Sequence, residues 1–373
     1  MGLKSKVVLA HQTLTGGDAI GHDILGMYRT LTGLGYEAYI YAENYLGDLA
    51  SFRFDKRELL RLISRPDNVL IYHHSVFWAE GEEILKRCKA RVILKYHNIT
   101  PPEFFEPYSP LHFDQTSKGR EQTARLLESI DQGWWFADSE FNRQDLLGCG
   151  LCKERAVVVP PFHSLEAWAE VKPNISLVRN VLMSKRKQIF FLGRVAPNKG
   201  HKHLLGIVKA FRATFHEEIH LWITGGIDPY LGGYMDELND TIRDGQLEDN
   251  VSFTDKLPLQ DIKALFLASD AFLCMSEHEG FCVPIIEAQY LRLPLVTYGG
   301  TALRETAGRK QIVLDTVDYN LAAASLYTVF HDRDVKEFCQ EEGYQNVSDR
   351  FSHERIKETF RLSFNKVIGS EPA

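Results

Sequence analysis

The feature that most constrains this chain is a βα rhythm that runs twice. Short, nearly continuous apolar segments at 7–10, 38–41, 69–72, 92–96, 134–137 and 156–159 alternate with segments of helical periodicity such as 20–31, 80–88 and 121–130. After an irregular stretch from 160 to 187, which contains the turn PPF and the polar run SKRK, the rhythm restarts. Six further strands are expected at 189–192, 219–224, 251–253, 271–275, 295–297 and 312–314, with helices such as 203–214 and 259–268 between them. Strands that are apolar on both faces and separated by helices read as parallel, because a parallel crossover needs a helix-length return that covers the sheet. The expected fold class is therefore α/β, with two Rossmann-like, doubly wound parallel-sheet domains facing a central cleft, where ligands meet the carboxyl ends of the strands. A length of 373 residues suffices for two such cores. We place the first domain at 1–180 and the second at 181–350. A C-terminal helix at 351–373, carrying Ile356, Phe360, Leu362 and Phe364, either crosses back to the first domain or caps the second.

Charge and cysteine usage narrow the partners. A net charge of −7 excludes a broad nucleic-acid-binding surface, so no nucleic-acid partner is expected. Six cysteines are too few for a disulfide scaffold, and the close pair Cys149 and Cys152 lacks the further ligands of a zinc site. This usage fits reduced thiols and a cytoplasmic location. The opening run VVLA is better used as a first strand than as a signal peptide. No stretch approaches the ~20 apolar residues of a membrane span, which leaves peripheral contact at the inner face of the cell membrane as the membrane option. Phe77-Trp78 and Trp134-Trp135 are either the interfacial anchors of such contact or ordinary core aromatics.

Chemistry gathers where strands end. After the first strand, LTGGDAIGHD sets Gly16 and Gly17 at a helix start, where bare backbone can approach a phosphate. The segment lacks GxGxxG spacing, and no acidic residue follows the second strand to hold an NAD ribose, which argues against a dehydrogenase. In the second half, FFLGRVAPNKG puts Arg194 and Lys199 at one strand exit, where two cations either bridge a diphosphate or form an ordinary basic loop. SEHEGFCVPIIEAQ follows the apolar run AFLCM, and Pro284 suits the first turn of a helix. Gly280, Phe281, Cys282 and Val283 then offer helix-start amides to phosphate oxygens. Glu279 and Glu287 flank that start and can accept hydrogen bonds from sugar hydroxyls. Wrapped by Phe281, Val283, Ile285 and Ile286, carboxylates there are costly without partners. In the first half, His97 follows an apolar strand ending, and His73 and His74 lie just past the third strand, where they could line an acceptor cleft. Ser139 follows the fifth strand and either positions a ligand or caps the next helix.

Taken together these motifs resemble those of the retaining glycosyltransferases of the GT4 family, which have the GT-B fold, over almost the whole chain and most closely from 189 to 308. GRVAPNKG is similar to the family's GR…KG segment. Glu279-Gly280-Phe281 with Glu287-Ala288 is similar to its EGFG…EA pattern, with the same seven-residue gap, and YGGTALRETAG places Glu305 and Gly308 like the segment that follows. The resemblance implies that Arg194 and Lys199 hold the diphosphate of the donor, Glu279 the donor-sugar hydroxyls and Glu287 the nucleotide ribose. It also implies that Gly16 and Gly17 approach the phosphate from an acceptor-binding first domain, and that His97 contacts the donor sugar or its developing charge. The implied activity is hexosyl transfer from a nucleotide-diphosphate sugar to a polysaccharide or lipid-linked oligosaccharide, as in a bacterial polysaccharide-building member. UDP-glucose is favoured as donor over GDP-mannose and UDP-N-acetylhexosamine. No further cofactor and no metal are expected, since two cations stand beside the phosphate site and no DxD element does. The alternatives are a sugar-nucleotide epimerase or phosphorylase of the same fold, or a catalytically silent nucleotide-sugar-binding subunit. The chain departs from the family pattern at Cys282 and at Asp255 in VSFTDKLP, where glycine is usual, and at PPF, which replaces a proline-asparagine turn.

Overall fold

The computed structural model describes residues 5–369. Its first sheet comprises β1 (Lys6–Leu14), β2 (Glu37–Tyr45), β3 (Val69–His74), β4 (Arg91–Tyr96), β5 (Trp134–Ala137) and β6 (Ala156–Val158), in the order β2-β1-β3-β4-β5-β6. The second comprises β7 (Lys187–Leu192), β8 (Ile219–Thr224), β9 (Val251–Phe253), β10 (Ala271–Cys274), β11 (Leu295–Tyr298) and β12 (Ile312–Leu314), in the order β12-β11-β10-β7-β8-β9. Both sheets are parallel throughout. Helices cover both faces of such sheets, and the strand interiors are accordingly sealed: Val7, Leu9, Leu70, Ile71, Ile189, Phe190, Phe272 and Leu273 have no exposed surface. The two expected doubly wound domains are present.

In each sheet the strand order reverses once, between β1 and β3 in the first and between β7 and β10 in the second. Loops leaving the carboxyl ends on the two sides of a reversal run to opposite faces and open a crevice, which is where ligands bind in this architecture. The loops after β7 and β10 carry the densest set of polar residues singled out above.

The chain divides into two compact units, but not at simple breakpoints in sequence. The first takes the described residues up to Pro101, Asp114–Ser164 and those from Ser352 onward, and the second takes Pro102–Phe113 and Leu165–Phe351. The boundary expected at 180/181 thus lies near 164/165. The stretch read as irregular contains helices Ala167–Glu170 and Ile175–Leu182, and it is tied to the second unit. Trp168 packs edge-on to Phe266 at 5.8 Å, Asn174 Nδ2 donates to Asp261 Oδ1 at 2.8 Å, and Lys263 Nζ donates to the Val171 carbonyl at 2.7 Å. The C-terminal helix, His353–Ile368, lies in the first unit, where Phe360 meets Phe162 at 5.9 Å and Phe364 meets Tyr36 at 5.3 Å.

One member of each aromatic pair is core and the other is half-buried. Trp78 and Trp135 are 2% and 0% exposed, while Trp134 lies under the Lys366 ammonium at 4.9 Å. No helix among the described residues is long and apolar enough to cross a membrane.

Candidate functional site

The crevice of the second sheet is built by two loops that need each other. The turn Pro197–Lys199 after β7 ends at Gly200 with φ of 69°, and a Cβ there would stand 2.0 Å from the carbonyl oxygen of Met275, just past β10. Glycine is what allows the two loops to touch. The contact is then stitched by hydrogen bonds. The amides of Glu277 and His278 donate to the Asn198 carbonyl at 2.9 and 3.3 Å, and Asn198 Nδ2 donates to the His278 carbonyl at 3.1 Å.

This stitching brings Lys199 to Glu279. Lys199 Nζ donates to Glu279 Oε1 at 2.7 Å, with the two side chains 20% and 11% exposed. Burial pulls the Lys199 ammonium toward deprotonation, but Glu279 and Cys282 together outweigh it and the group is held above its ordinary value. Arg194 is exposed at the same strand exit, near enough for its charge to oppose that of Lys199. One expected cation is therefore half-buried and matched, and the other is open to solvent.

Beyond Glu279 the chain enters helix Val283–Tyr290 with Pro284 in its first turn. The first amides of a helix have no acceptor within it. Phe281 anchors this start, packing edge-on to Phe351 at 5.2 Å while its carbonyl accepts from Thr306 Oγ1 at 2.6 Å. Cys282 sits at φ of 77°, in the left-handed region that glycine favours. Its thiol is buried and hydrogen-bonded to that of Cys274, which pushes the Cys282 thiol well above its ordinary range. Asp255 likewise sits at φ of 52°, its Oδ1 accepting from the Ile227 amide at 3.2 Å. Both departures from glycine keep the backbone that a glycine would adopt. Glu287 follows within the helix, where Trp168 Nε1 donates to its Oε1 at 3.3 Å. Burial raises this carboxyl to about 7, with the indole bond working against the shift.

The first unit distributes its candidates differently. Gly16 and Gly17 are exposed, but helix Ala19–Gly33 is capped by Asp18, which accepts from the Gly21 amide at 2.7 Å. A carboxylate thus occupies the helix start where an anion was expected. His97 is part of a buried polar network. Its Nδ1 lies 2.9 Å from Asp138 Oδ2 and its Nε2 lies 2.9 Å from His73 Nδ1, with the two rings stacked. Lys95, wholly buried, pairs with Asp138 and donates to the Val159 carbonyl. Asp23 Oδ1 accepts from the Phe162 amide at 2.8 Å, and its Oδ2 faces Lys95 and His97 at 3.8 Å. Burial pushes Asp23 up against the opposing pull of Lys95 and His97, whereas at Asp138 His97 and Lys95 overcome burial and hold the carboxyl down. Both ring nitrogens of His97 are engaged inside this unit. His73 and His74 are buried at 1% and 0% exposure, His74 Nε2 bonding Thr123 Oγ1 at 2.8 Å, so neither lines a surface. Ser139 caps helix Glu140–Gly148 by accepting from the Asn142 amide at 3.1 Å.

Ligand atoms of Asp23, His73 and His97 lie within 4.8 Å of one another, the makings of a three-ligand metal site. The ammonium of Lys95 beside Asp23 already supplies the positive charge such a site would take. Sequence reasoning missed Asp23, Lys95, Asp138 and Trp168. A lysine inside the apolar run VILKY was the available signal, since a buried charge demands partners. We expect His97→Ala to lower stability by about 3 kcal/mol in urea unfolding, because it strips Asp138 of a buried partner. An unchanged midpoint would show that the network does not support the fold.

Residues 176–346 match the model of the glycosyl transferases group 1 family. The chain is also 26% identical over 278 residues to O-antigen chain mannosyltransferase B of Escherichia coli, covering 73% of this chain and 68% of that protein. Among solved structures, a glycosyltransferase from Rickettsia africae ESF-5 superposes with a TM-score of 0.75 at 14% identity, covering 99% of this chain and 100% of its own. Anabaena HepE in complex with UDP-glucose superposes with a TM-score of 0.72 at 15% identity, covering 97% of this chain and 99% of its own. The chain has the GT-B fold. In this GT-B protein the family match spans Arg194, Lys199, Glu279 and Glu287, while Gly16, Gly17 and His97 lie outside it.

Proposed function

We propose that the chain is a retaining hexosyltransferase of the GT4 type that uses a nucleotide-diphosphate sugar. The observation that carries this reading is the Lys199–Glu279 pair at the strand-order reversal of the second sheet, with Glu287 in the helix that follows. In the proposed reaction the bond between the anomeric carbon and the diphosphate breaks, and the acceptor oxygen bonds to that carbon on the same face. The acceptor proton leaves with the diphosphate. Negative charge grows on the leaving group, so Lys199, Arg194 and the amides of Gly280, Phe281, Cys282 and Val283 stabilise the transition state more than the bound donor. Glu279 then has two partners in turn: the Lys199 ammonium, and the hydroxyls of the donor sugar. Glu287 accepts from the vicinal hydroxyls of the ribose.

UDP-glucose is the donor we favour, with a polysaccharide or lipid-linked oligosaccharide as acceptor. GDP-mannose is the second reading, favoured by the name of the Escherichia coli relative. Release of nucleoside diphosphate from a panel of nucleotide sugars, with and without pooled lipid-linked acceptors, tests both. Product analysis separates the other classes, since an epimerase changes the sugar without an acceptor and a phosphorylase requires inorganic phosphate. Turnover is expected to persist in EDTA, because Lys199 and Arg194 supply the charge that a divalent ion would otherwise provide. Complete loss in EDTA, restored by Mg²⁺ or Mn²⁺, would overturn that expectation.

A further inference from the structure

We propose that a small cavity in the second unit is a subsite for one neutral sugar ring of the acceptor glycan, an inference that rests on the transferase reading above. The cavity has a volume of about 210 Å³ and borders Pro197 and Gly200, which flank Lys199 on its turn. That volume falls below the ~300–1,000 Å³ typical of pockets for drug-sized ligands. A whole nucleotide sugar is too large for it, and a single pyranose is not.

Its lining is that of a sugar site. Phe104, Tyr108 and Tyr234 supply aromatic surface for the C–H face of a ring, and Glu103 and Glu277 supply acceptors for hydroxyls. Tyr234 is 1% exposed, and its hydroxyl proton has no acceptor among the described residues. A buried O–H without an acceptor is costly, and a ring or hydroxyl oxygen provides one. Charge then selects the class of ligand. Lys202 donates to Tyr108 Oη at 2.7 Å and pairs with Glu237 at 2.6 Å, so the cation in the lining is already matched. An anionic group entering the cavity would meet two carboxylates, whereas a neutral polyhydroxyl ring meets partners. Glu103, Phe104 and Tyr108 come from Pro102–Phe113, which follows β4 of the first sheet in sequence yet packs in the second unit, where His112 Nε2 lies 3.1 Å from Asp228 Oδ2.

Saturation-transfer NMR on the full chain, with methyl α-D-glucopyranoside and methyl α-D-mannopyranoside as probes, tests the assignment. Calorimetry with UDP-glucose and GDP-mannose runs in parallel. Tyr234→Phe removes only the hydroxyl, and Phe104→Leu removes an aromatic face without opening a large void. Transfer to at least one glycoside is expected, falling about fivefold in each variant while nucleotide-sugar affinity stays at the parent value. No transfer in the parent, or equal transfer in parent and both variants, would overturn the subsite. Glycoside binding without affinity for any nucleotide sugar would instead overturn the transferase reading.

Discussion

Lys199→Ala is expected to lower kcat/KM for the preferred nucleotide sugar by about 10²–10³-fold while leaving the far-UV circular dichroism spectrum unchanged. Two losses combine. The leaving diphosphate loses its half-buried cation, and Glu279, only 11% exposed, loses its charged partner. Arg194→Ala should cost less, about tenfold, because Arg194 is exposed and its charge acts through water and salt. Steady-state kinetics of the two purified variants decides the matter. Parent-like turnover in Lys199→Ala, or a larger loss in Arg194→Ala, would reject the assignment of Lys199 as the principal charge for the leaving group.

Glu287→Gln should separate stability from binding. Burial raises this carboxyl from 4.5 to about 7, so between those pH values the folded chain retains a proton that the unfolded chain has released. Stability linked to Glu287 is fully present below pH 4.5 and declines as pH rises through 7. Ionisation above that window costs roughly 2 kcal/mol, less than the full value of the shift because the side chain is not sealed from water. Glutamine carries no proton to lose, so at pH 8 the ligand-free variant should unfold at higher denaturant than the parent, and at pH 5 the two should converge. Nucleoside diphosphate affinity should nevertheless fall by about tenfold, since an amide accepts less strongly than a carboxylate from ribose hydroxyls. Chemical denaturation at the two pH values and calorimetry with UDP and GDP provide the readouts. Lower stability together with unchanged nucleotide affinity at pH 8 would remove Glu287 from the binding site and leave it a core residue.

Much of the fold was legible because its signal is local. A parallel strand covered on both faces must be apolar at every position, and runs such as VVLA, IFFL and AFLC announce this without reference to anything distant. The segments at Ala167–Glu170 and Ile175–Leu182 were harder. They are short helices among prolines and polar residues, held by Phe266, Asp261 and Lys263, roughly ninety positions further along. The site divides along the same line. Arg194, Lys199, Glu279 and Glu287 could be picked out from their place after apolar strands, and the resemblance joined them into one motif set. Cys282 and Asp255 were visible only as departures from glycine, since the sign of φ is not written in residue identity.

The sequence by itself determined which residues leave the strand ends, because hydrophobic periodicity locates each strand and therefore its exit. Only the tertiary structure decided which of those exits meet. Lys199 pairs with a carboxylate 80 positions away because Gly200 lets the loops after β7 and β10 touch where strand order reverses. His97 stands at a strand exit as expected, yet His73 and Asp138, 24 and 41 positions distant, take both of its ring nitrogens because β3 and β5 flank β4 in the sheet. Strand order and loop contact are products of packing between distant segments, and side-chain pairings inherit that non-locality.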